Sequence, residues 1–399
     1  MARFSYPIVI VGGGFIGPLI ALTLGKKYGP VYLVDPNPVE CQLTAPSDGR
    51  AIALTQASKK LLERLNIWPA LRSYAQPLSA VVTKEPNGAE MRMTAEDTFG
   101  EPIGYTIDSK VLKDALLRTL HKQSFVTFLT DQVLNLEYQT PFQSSLSLEL
   151  ASGTTISAAL VIGADGARSR IRLAANLRTH HWEYDQIAFV RTYQHSNLHG
   201  GRAYETFLDT GPFAILPLPN NCSSIVWTVS AEKAKQLQSL SDQDFDKEAG
   251  RHMPSYTDMT PYSPVRAFAL KGLWVPFFTA HRIALVGDAA HQIHPLAGQG
   301  LNLGFYDVEA LEETLTEGLS LGLDIGSQTL LKRYEQKQRW QHLSFLGATH
   351  GINSLFSNDD ATLEWLRTKG LELVEKTSGV KRFFAQHGAG IRQGVTAEK

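Results

Sequence analysis

A short apolar run followed by glycines is the clearest pattern near the start of the chain. Residues 8–11 are four consecutive β-branched residues, which is typical of a buried parallel strand. A helical pattern of apolar residues over 19–24 and a second apolar run over 31–34 follow. The pattern predicts a strand, a tight turn, a helix and a second strand.

The glycines between the first strand and the helix have the spacing G-x-G-x-x-G, at Gly12, Gly14 and Gly17. The first glycine permits the tight turn, the second lets the backbone approach a pyrophosphate, and the third lets the helix pack closely on the strand. Asp35 follows the second strand about 20 residues after the turn, where an acid binds the hydroxyls of a ribose that lacks a 2′-phosphate. Together these features predict a dinucleotide site.

Residues 6–25 are nearly free of charge, so a signal peptide or a membrane span is an alternative interpretation. Five glycines and Pro18 interrupt this stretch, and no small-residue cleavage site follows it. We therefore expect a nucleotide-binding turn rather than a targeting segment.

Apolar strand patterns return at residues 159–162 and 283–286, and each is followed by glycine and aspartate. Residues 74–99 and 180–275 instead carry short strand patterns and turn signals. We predict an α/β protein with two interleaved domains and an extension. The Rossmann-like nucleotide-binding domain comprises residues 1–73, 100–179 and 276–328, the mostly antiparallel substrate domain comprises residues 74–99 and 180–275, and the C-terminal helical extension comprises residues 329–399.

Four aromatic residues of the predicted antiparallel domain are Tyr204, Phe213, Trp227 and Phe268. Such residues lie in a core more often than on a binding surface. A subset of them could line a pocket for a flat apolar ring. The main expectation is a sheet with an aromatic core.

Two charged residues have both a functional and a structural interpretation. Asp165 follows a strand in a glycine-flanked turn, where it could bind a ribose, hold the turn closed or cap a helix over residues 169–174. Arg50, predicted at a loop-to-helix junction, could reach a phosphate of the bound nucleotide or lie on the surface. The pattern favours neither interpretation of Arg50.

The last predicted strand leads into a second loop of small residues. Gly287 and Asp288 end the strand, and residues 295–300 precede a helix that is predicted to start near Leu301 and Asn302. Backbone amides at the start of a helix stabilise negative charge. This loop is therefore a second candidate for binding an anionic group.

Asp288, His291 and His294 belong to residue types that bind metals. Their spacing fits no metal motif, and both histidines fall in a loop. We therefore predict no metal site and expect both histidines to hydrogen-bond to the backbone.

The charges are balanced, with 38 Lys and Arg residues against 39 Asp and Glu residues and a formal net charge of −1. Overall charge thus favours neither a nucleic acid nor an anionic lipid surface as a partner. The two cysteines, Cys41 and Cys222, lie far apart, and we expect free thiols in a reducing compartment. The C-terminal helical patterns predict either a packing arm against the first domain or a docking face for proteins or a membrane surface.

Three motifs occur in order along the chain: residues 12–17, Gly163-Ala164-Asp165-Gly166 and Gly287-Asp288. With these motifs the chain resembles the single-component FAD-dependent aromatic hydroxylases. Within that group, the segments 48–54, 211–218 and 294–304 are similar to the ubiquinone-biosynthesis hydroxylases. The resemblance covers nearly the whole chain and is weakest beyond residue 358.

The resemblance implies that FAD is the bound cofactor and lies extended across the first domain. It also implies a role for each motif: Gly12, Gly14 and Gly17 at the pyrophosphate, Asp35 at the adenosine ribose, Asp288 at the ribityl chain and phosphates, Arg50 at the phosphates, Asp165 at both FAD and a pyridine nucleotide, and Pro295, Gly298, Gln299, Gly300, Leu301 and Asn302 in the loop that faces the isoalloxazine ring.

The implied activity is hydroxylation of a polyprenylated phenol of the 2-polyprenyl-6-methoxyphenol type. NAD(P)H and O2 are the implied co-substrates, and a flavin hydroperoxide is the implied oxidant, so no side chain is assigned as a catalytic acid or base. Two other functions stay open. One is hydroxylation of a small soluble aromatic acid, which calls for an arginine clamp, and the other is a non-catalytic flavoprotein subunit of a biosynthetic complex.

The resemblance also implies partners and a location. The partners would be the prenylated phenol and other ubiquinone-biosynthesis proteins, with no nucleic acid. The location would be the bacterial cytoplasm, with peripheral contact to the inner membrane.

Overall fold

We analysed a computed structural model that describes residues 5–39, 47–85, 88–137, 144–253, 256–356 and 361–391. The chain forms two compact units. The first unit comprises Met1–Gln42, Lys113–Trp182 and Lys271–Thr349, and the second comprises Leu43–Leu112, Glu183–Leu270 and His350–Lys399. These bounds differ from the expected domains because residues 43–73 and 100–112 group with the second unit and the C-terminal part divides after residue 349.

The strands are β1 (Ile8–Val11), β2 (Val31–Asp35), β3 (Ala51–Thr55), β4 (Gln76–Pro77), β5 (Ala80–Lys84), β6 (Glu90–Thr94), β7 (Gly104–Asp108), β8 (Val126–Thr130), β9 (Val133–Glu137), β10 (Leu146–Leu150), β11 (Thr155–Ala158), β12 (Leu160–Gly163), β13 (His180–Gln194), β14 (Arg202–Leu208), β15 (Gly211–Leu218), β16 (Cys222–Ser230), β17 (Thr260–Pro261), β18 (Arg266–Trp274), β19 (Thr279–Ala280), β20 (Ile283–Leu285) and β21 (His291–Gln292).

The helices are α1 (Ile16–Tyr28), α2 (Gln56–Arg64), α3 (Trp68–Leu71), α4 (Ser109–His121), α5 (Arg170–Ala174), α6 (Ala231–Gln238), α7 (Asp242–Gly250), α8 (Gln299–Ser320), α9 (Gln328–Phe356), α10 (Ala361–Lys376) and α11 (Ser378–Gly388). Among the described residues, no helix has the length and apolar character needed to cross a membrane.

The first unit is built on a six-stranded sheet with the order β19-β20-β12-β1-β2-β8. Its central strand β1 pairs in parallel with β12 and β2, so that Ile10 lies opposite Ile162 and Leu33. Every residue of β1 is buried, which explains why this strand has no alternation of polar and apolar residues. The predicted α/β fold with a Rossmann-like unit is confirmed.

The second unit contains a sheet in which neighbouring strands follow the order β13-β16-β15-β14-β5-β6. In this sheet β14 and β5 are parallel, and the other neighbouring strands are antiparallel. Phe213 and Trp227 are fully buried and pack with Phe245 of α7, so the predicted aromatic core is present. Phe268 is 38% exposed, and its predicted core position is wrong. The strand residues around Phe268 are exposed too, so no core forms there.

The last two helices, α10 and α11, pack within the second unit, whereas most of α9 belongs to the first unit. The backbone amide of Arg92 in β6 donates to Glu375 Oε2 of α10 at 2.9 Å. The amide of Gln56 donates to the carbonyl of Ala389 at 2.9 Å, just after α11. Cys222 is free and buried, whereas Cys41 lies outside the described residues.

Candidate functional site

The candidate site lies at the carboxyl edge of the parallel sheet in the first unit. The strands β2, β1, β12 and β20 are neighbours and run in the same direction, so their carboxyl ends share one edge. Asp35, Gly12, Asp165 and Asp288 stand at or just after these four strand ends. Ligands of open parallel sheets bind at this edge.

The three glycines of the first turn are required for different reasons. Gly12 has φ +119°, and a Cβ there would clash with the backbone of Ala164. A Cβ on Gly17 would clash with the carbonyl oxygen of Gly12. Gly14 is exposed, and a Cβ there would meet no protein atom within 4 Å. Protein packing thus requires Gly12 and Gly17, whereas Gly14 leaves room that a bound pyrophosphate would fill.

Asp35 holds the turn from the neighbouring strand. Its Oδ2 accepts a hydrogen bond from the amide of Gly13 at 2.6 Å, and its Oδ1 accepts one from the amide of Asn37 at 2.8 Å. The carboxylate therefore lies beside the glycine turn, at the position where the fingerprint places a ribose partner.

Asp165 supports the start of α5, in agreement with the structural interpretation that its sequence allowed. Its Oδ2 accepts hydrogen bonds from the amides of Arg170 at 2.7 Å and Ile171 at 3.3 Å, so it supports the start of α5. Its Oδ1 is buried and accepts no hydrogen bond from the described part of the chain. Burial raises the pKa of this carboxyl, although hydrogen bonding from the Ser169 side chain and from the amides of Ile171 and Arg170 opposes the shift. One oxygen thus remains for a ligand.

Asp288 stands in the turn just after β20. Its side chain is accessible, yet the surrounding protein raises the pKa of the carboxyl by removing it from bulk water, and His291 only partly offsets this effect. Accessible surface together with desolvation is the property of a group that lines a cleft.

A cluster of buried polar residues supports the Asp288 turn. Asp307 of α8 accepts hydrogen bonds at Oδ2 from the amide of Gly287 at 2.8 Å and from His291 Nε2 at 2.7 Å. Its Oδ1 accepts one from His342 Nε2 of α9 at 2.7 Å. Burial alone would raise the pKa of the Asp307 carboxyl, but the two histidines outweigh burial and hold it far below its usual range.

Sequence reasoning missed Asp307 and His342, although a signal existed. Asp307 falls four residues from both Leu303 and Leu311, which are buried on the same face of α8. An acid within an apolar stripe needs a buried partner. His291 thus bonds to a side chain and not to the backbone as expected, whereas His294 does bond to the backbone, accepting at Nδ1 from the amide of Leu296 at 3.3 Å.

The buried trio His291, Asp307 and His342 is also a group whose ligand atoms lie within 4.8 Å of one another. Two histidines and a carboxylate are ligands that Zn²⁺ accepts. In this structure each histidine Nε2 is instead engaged by the Asp307 carboxylate, and Asp307 also accepts the Gly287 amide. The hydrogen bonds account for the arrangement.

Arg172 is a second residue that the sequence did not reveal. Its buried guanidinium donates to the carbonyls of Ala289 at 2.9 Å and Ala167 at 2.6 Å. It therefore ties the turn that carries Asp165 to the turn that carries Asp288. Nothing in the sequence relates these two turns, because the contact joins residues more than a hundred positions apart.

The loop before α8 closes the same edge. Gly298 has φ +62° and is the N-cap residue of α8, whose first turn contains Gln299, Gly300, Leu301 and Asn302. As a glycine, it has no side chain that could cap the helix. Backbone amides at the start of a 22-residue helix, together with the helix dipole, favour negative charge.

Two close contacts place α8 beside the other turns. A Cβ on Gly304 would lie 2.7 Å from Ile16 of α1, and a Cβ on Gly287 would lie 3.1 Å from the same side chain. The start of α1, the Asp288 turn and the first part of α8 therefore pack together.

Arg50 belongs to the second unit and stands directly before β3, at a loop-to-strand junction, so the expected loop-to-helix junction is wrong. The guanidinium forms an ion pair with Asp48 at 2.6 Å and lies over the Phe268 ring at 5.6 Å. Both groups of this ion pair are partly exposed, so the ion pair contributes little to stability.

The site's features fit FAD: a glycine turn with open space at Gly14, a carboxylate oxygen of Asp165 that has no partner among the described residues, a desolvated carboxylate at Asp288 and the start of α8 after Gly298. A dinucleotide carries a pyrophosphate for the amides and hydroxyls for the carboxylates.

Comparisons with known proteins agree with this fit. The FAD binding domain family matches residues 5–342. The ubiquinone hydroxylase UbiL of Rhodospirillum rubrum is 35% identical over 384 residues, covering 96% of this chain and 89% of that protein. The 3-demethoxyubiquinol 3-hydroxylase of Escherichia coli is 33% identical over 387 residues, covering 96% and 98%.

Among solved structures, p-nitrophenol 4-monooxygenase PnpA of Pseudomonas putida has a TM-score of 0.77 with 19% identity, covering 98% of this chain and 100% of that protein. This likeness concerns the fold. The sequence matches extend over nearly the whole chain and include the turns at Gly12, Asp165 and Asp288. The chain therefore belongs to the FAD binding domain family and, within it, to the ubiquinone-biosynthesis hydroxylases, and it is an FAD-dependent monooxygenase.

Proposed function

We propose that this enzyme hydroxylates a polyprenylated phenol in ubiquinone biosynthesis, with NAD(P)H and O2 as co-substrates. The main support is the similarity to two ubiquinone hydroxylases over 96% of the chain, together with a carboxyl edge that suits FAD. The substrate is expected to be of the 2-polyprenyl-6-methoxyphenol type.

In this proposal FAD, when bound, supplies electron transfer and the activation of oxygen. The residues of the chain bind FAD and orient it. The turn at Gly12, Gly14 and Gly17 holds the pyrophosphate, Asp35 the adenosine ribose, and Asp288 the ribityl region. The residues Arg50, Asp165, Pro295, Gly298, Gln299, Gly300, Leu301 and Asn302 are proposed as further cofactor contacts.

The amides at the start of α8 are proposed to stabilise negative charge on the reduced cofactor. They are preorganised donors on a long helix, so they need no rearrangement when charge develops. No acid–base side chain is required for this role.

The test is product analysis with purified holoenzyme, NADH or NADPH, oxygen and a short-chain 2-prenyl-6-methoxyphenol. We expect one oxygen atom to be added to the prenylphenol for each molecule of nicotinamide whose oxidation depends on that substrate. Oxidation in the absence of substrate is measured separately and subtracted. Nicotinamide oxidation that no prenylphenol stimulates would contradict the proposal.

The alternative of a small aromatic acid requires a cation for the substrate carboxylate. Arg191, the buried arginine of β13, is already paired with Asp246 at 3.1 Å and Asp242 at 3.3 Å. This engagement disfavours Arg191 as the clamp. Stimulation by a hydroxybenzoate would support this alternative, and bound FAD without turnover would support a non-catalytic subunit.

Peripheral contact with a lipid bilayer belongs to the same proposal, because a polyprenylated phenol resides in lipid. Phe383 and Phe384 of α11 are each about half exposed, beside the exposed Arg382. Aromatic and basic side chains on one helix are typical of a helix that lies on an anionic bilayer surface.

A further inference from the structure

Glu205 of β14 is an acid on one face of the sheet in the second unit. Side chains alternate along β14, so Ala203, Glu205 and Phe207 share one face while Tyr204 and Leu208 share the other. Tyr204 and Leu208 pack on the aromatic core that contains α6 and α7. Glu205 therefore points away from that core.

The neighbours of Glu205 on its face are small or apolar. Ala214 of β15 and Thr83 of β5 lie directly opposite it in the adjacent strands. Ala203 and Phe207, two residues before and after it, are buried. None of these side chains carries a charge that could balance the carboxylate.

The Glu205 carboxyl has no protein partner in the described structure, since neither a hydrogen bond nor an ion pair involves it. It keeps some accessible surface, yet burial raises its pKa to about 7. An acid that is accessible but poorly hydrated lines a recess, as Asp288 does in the first unit.

The same face also receives the segment that leads to Arg50. Ser224 of β16 and Thr192 of β13 both donate to the carbonyl oxygen of Gly49, at 2.6 Å and 3.1 Å. Register places Ser224 opposite Leu216, two residues from Ala214, so Ser224 and Glu205 lie on one face. This face is thus both apolar and bordered by a segment that the family resemblance assigns to the cofactor.

An unpaired acid on an apolar face lowers the stability of the fold, so packing does not explain its presence. A ligand that brings a hydrogen-bond donor and an apolar body would satisfy both the carboxylate and its surroundings.

We propose that Glu205 recognises the aromatic substrate by accepting a hydrogen bond from its phenolic hydroxyl, while the apolar residues around it contact the ring. The proposal rests on the proposed function and adds a residue and a specificity to it. The enzyme should prefer a free phenol to the corresponding O-methyl ether, because the ether has no hydroxyl hydrogen to donate.

The test uses holoenzyme, with 2-prenylphenol and its O-methyl ether as probes, and follows their binding by the change in the FAD absorbance spectrum. The wild type at pH 8 should bind the phenol roughly 10- to 100-fold more tightly than the ether, as expected for a hydrogen bond to a charged group. The preference should shrink at pH 5.5, where the carboxyl is neutral.

Two variants separate recognition from folding. Glu205→Met has a similar volume and no acceptor, and it should bind both probes about equally. Glu205→Gln keeps an uncharged acceptor, and its preference should be small and independent of pH. Asp209→Asn, an exposed acid in the turn of the same hairpin, is the matched control and should behave as the wild type.

Retention of the wild-type preference by Glu205→Met would overturn the proposal, as would a wild-type preference that does not change with pH. If wild type turns over a prenylphenol while Glu205→Met keeps the preference, only the role of Glu205 fails. If no prenylphenol binds or is hydroxylated by the wild type, the proposed function fails as well.

Discussion

The carboxylate of Asp307 accepts a hydrogen bond from the backbone amide of Gly287 at 2.8 Å, and this contact joins α8 to the turn that carries Asp288. The same carboxylate binds His291 and His342, so three segments of the first unit meet at one buried charge. A buried charge with three partners fixes its neighbours more tightly than apolar packing does. Asp307 is therefore a positioning residue for Asp288.

Asp307→Ala should destabilise the protein by about 3 to 5 kcal/mol, because it leaves two buried histidines without their acceptor. Asp307→Asn keeps an oxygen for the Gly287 amide and should be milder. Chemical denaturation of the apoprotein measures both changes. Equal stability of Asp307→Ala and the wild type would contradict the structural role.

FAD affinity tests whether Asp307 acts through Asp288. Asp288→Ala should weaken FAD binding, and a variant that stays fully yellow and active would refute its assignment. In a double-mutant cycle, Asp307→Asn should have a smaller effect on FAD affinity in the Asp288→Ala background than in the wild type. Additive effects on FAD affinity would show that the two residues act separately.

Gly14→Ala should fold normally and bind FAD roughly 10- to 100-fold less tightly, since its Cβ meets no protein atom but would enter the space for the pyrophosphate. Thermal unfolding of the apoprotein and titration with FAD measure the two effects. Gly17→Ala is the matched comparison, because its Cβ clashes with the Gly12 carbonyl and should destabilise the apoprotein itself. Tight FAD binding by Gly14→Ala would exclude the turn as the pyrophosphate site.

Glu205 should make stability depend on pH. Its folded pKa of about 7 lies above the ordinary value of 4.5, so its neutral form is favoured in the folded state. The stability that depends on protonated Glu205 is fully present below pH 4.5 and is lost as the pH rises through about 7. Glu205→Gln should therefore gain stability relative to the wild type at pH 8 but not at pH 4.5, as measured by urea unfolding. An equal difference at both pH values would show that Glu205 has an ordinary pKa.

Replacing Phe383 and Phe384 with serine should weaken binding to vesicles of phosphatidylglycerol and phosphatidylcholine by roughly tenfold, because two half-exposed aromatic rings are lost. Co-sedimentation measures the bound fraction. Tyr262→Ser removes an aromatic ring that is 62% exposed elsewhere in the second unit and should have no effect. Unchanged vesicle binding in the phenylalanine variant would remove α11 as the contact.

The pattern of apolar and polar residues predicted those elements of the fold that depend on neighbouring residues in the sequence. The run Ile8–Val11 is uniformly apolar because β1 is covered on both faces. The motif residues Gly12, Asp165 and Asp288 were found because each follows a recognisable strand. The strand ends meet because parallel neighbours share an edge.

The missed features depend on contacts between distant segments. Arg172 joins Ala167 to Ala289, and Asp307 meets His342 from another helix, so no spacing along the chain reveals them. Phe268 was assigned to the core from residue type alone, and its exposure depends on what covers β18. The sequence alone does not distinguish Glu205 from an exposed polar residue of an alternating strand. Its uncharged neighbours Ala214 and Thr83 come from the adjacent strands and are known only from the register of the sheet.

The position of β20 in the sheet has a consequence for biosynthesis. The strand lies beside β12 and contributes the Asp288 turn, but it begins only at Ile283, and α8 follows from Gln299. A nascent polypeptide therefore lacks one wall of the cofactor cleft until most of its length has left the ribosome. If the Asp288 turn binds the cofactor as proposed, flavin loading is a late event, and truncated translation products that contain the complete N-terminal fingerprint should emerge colourless.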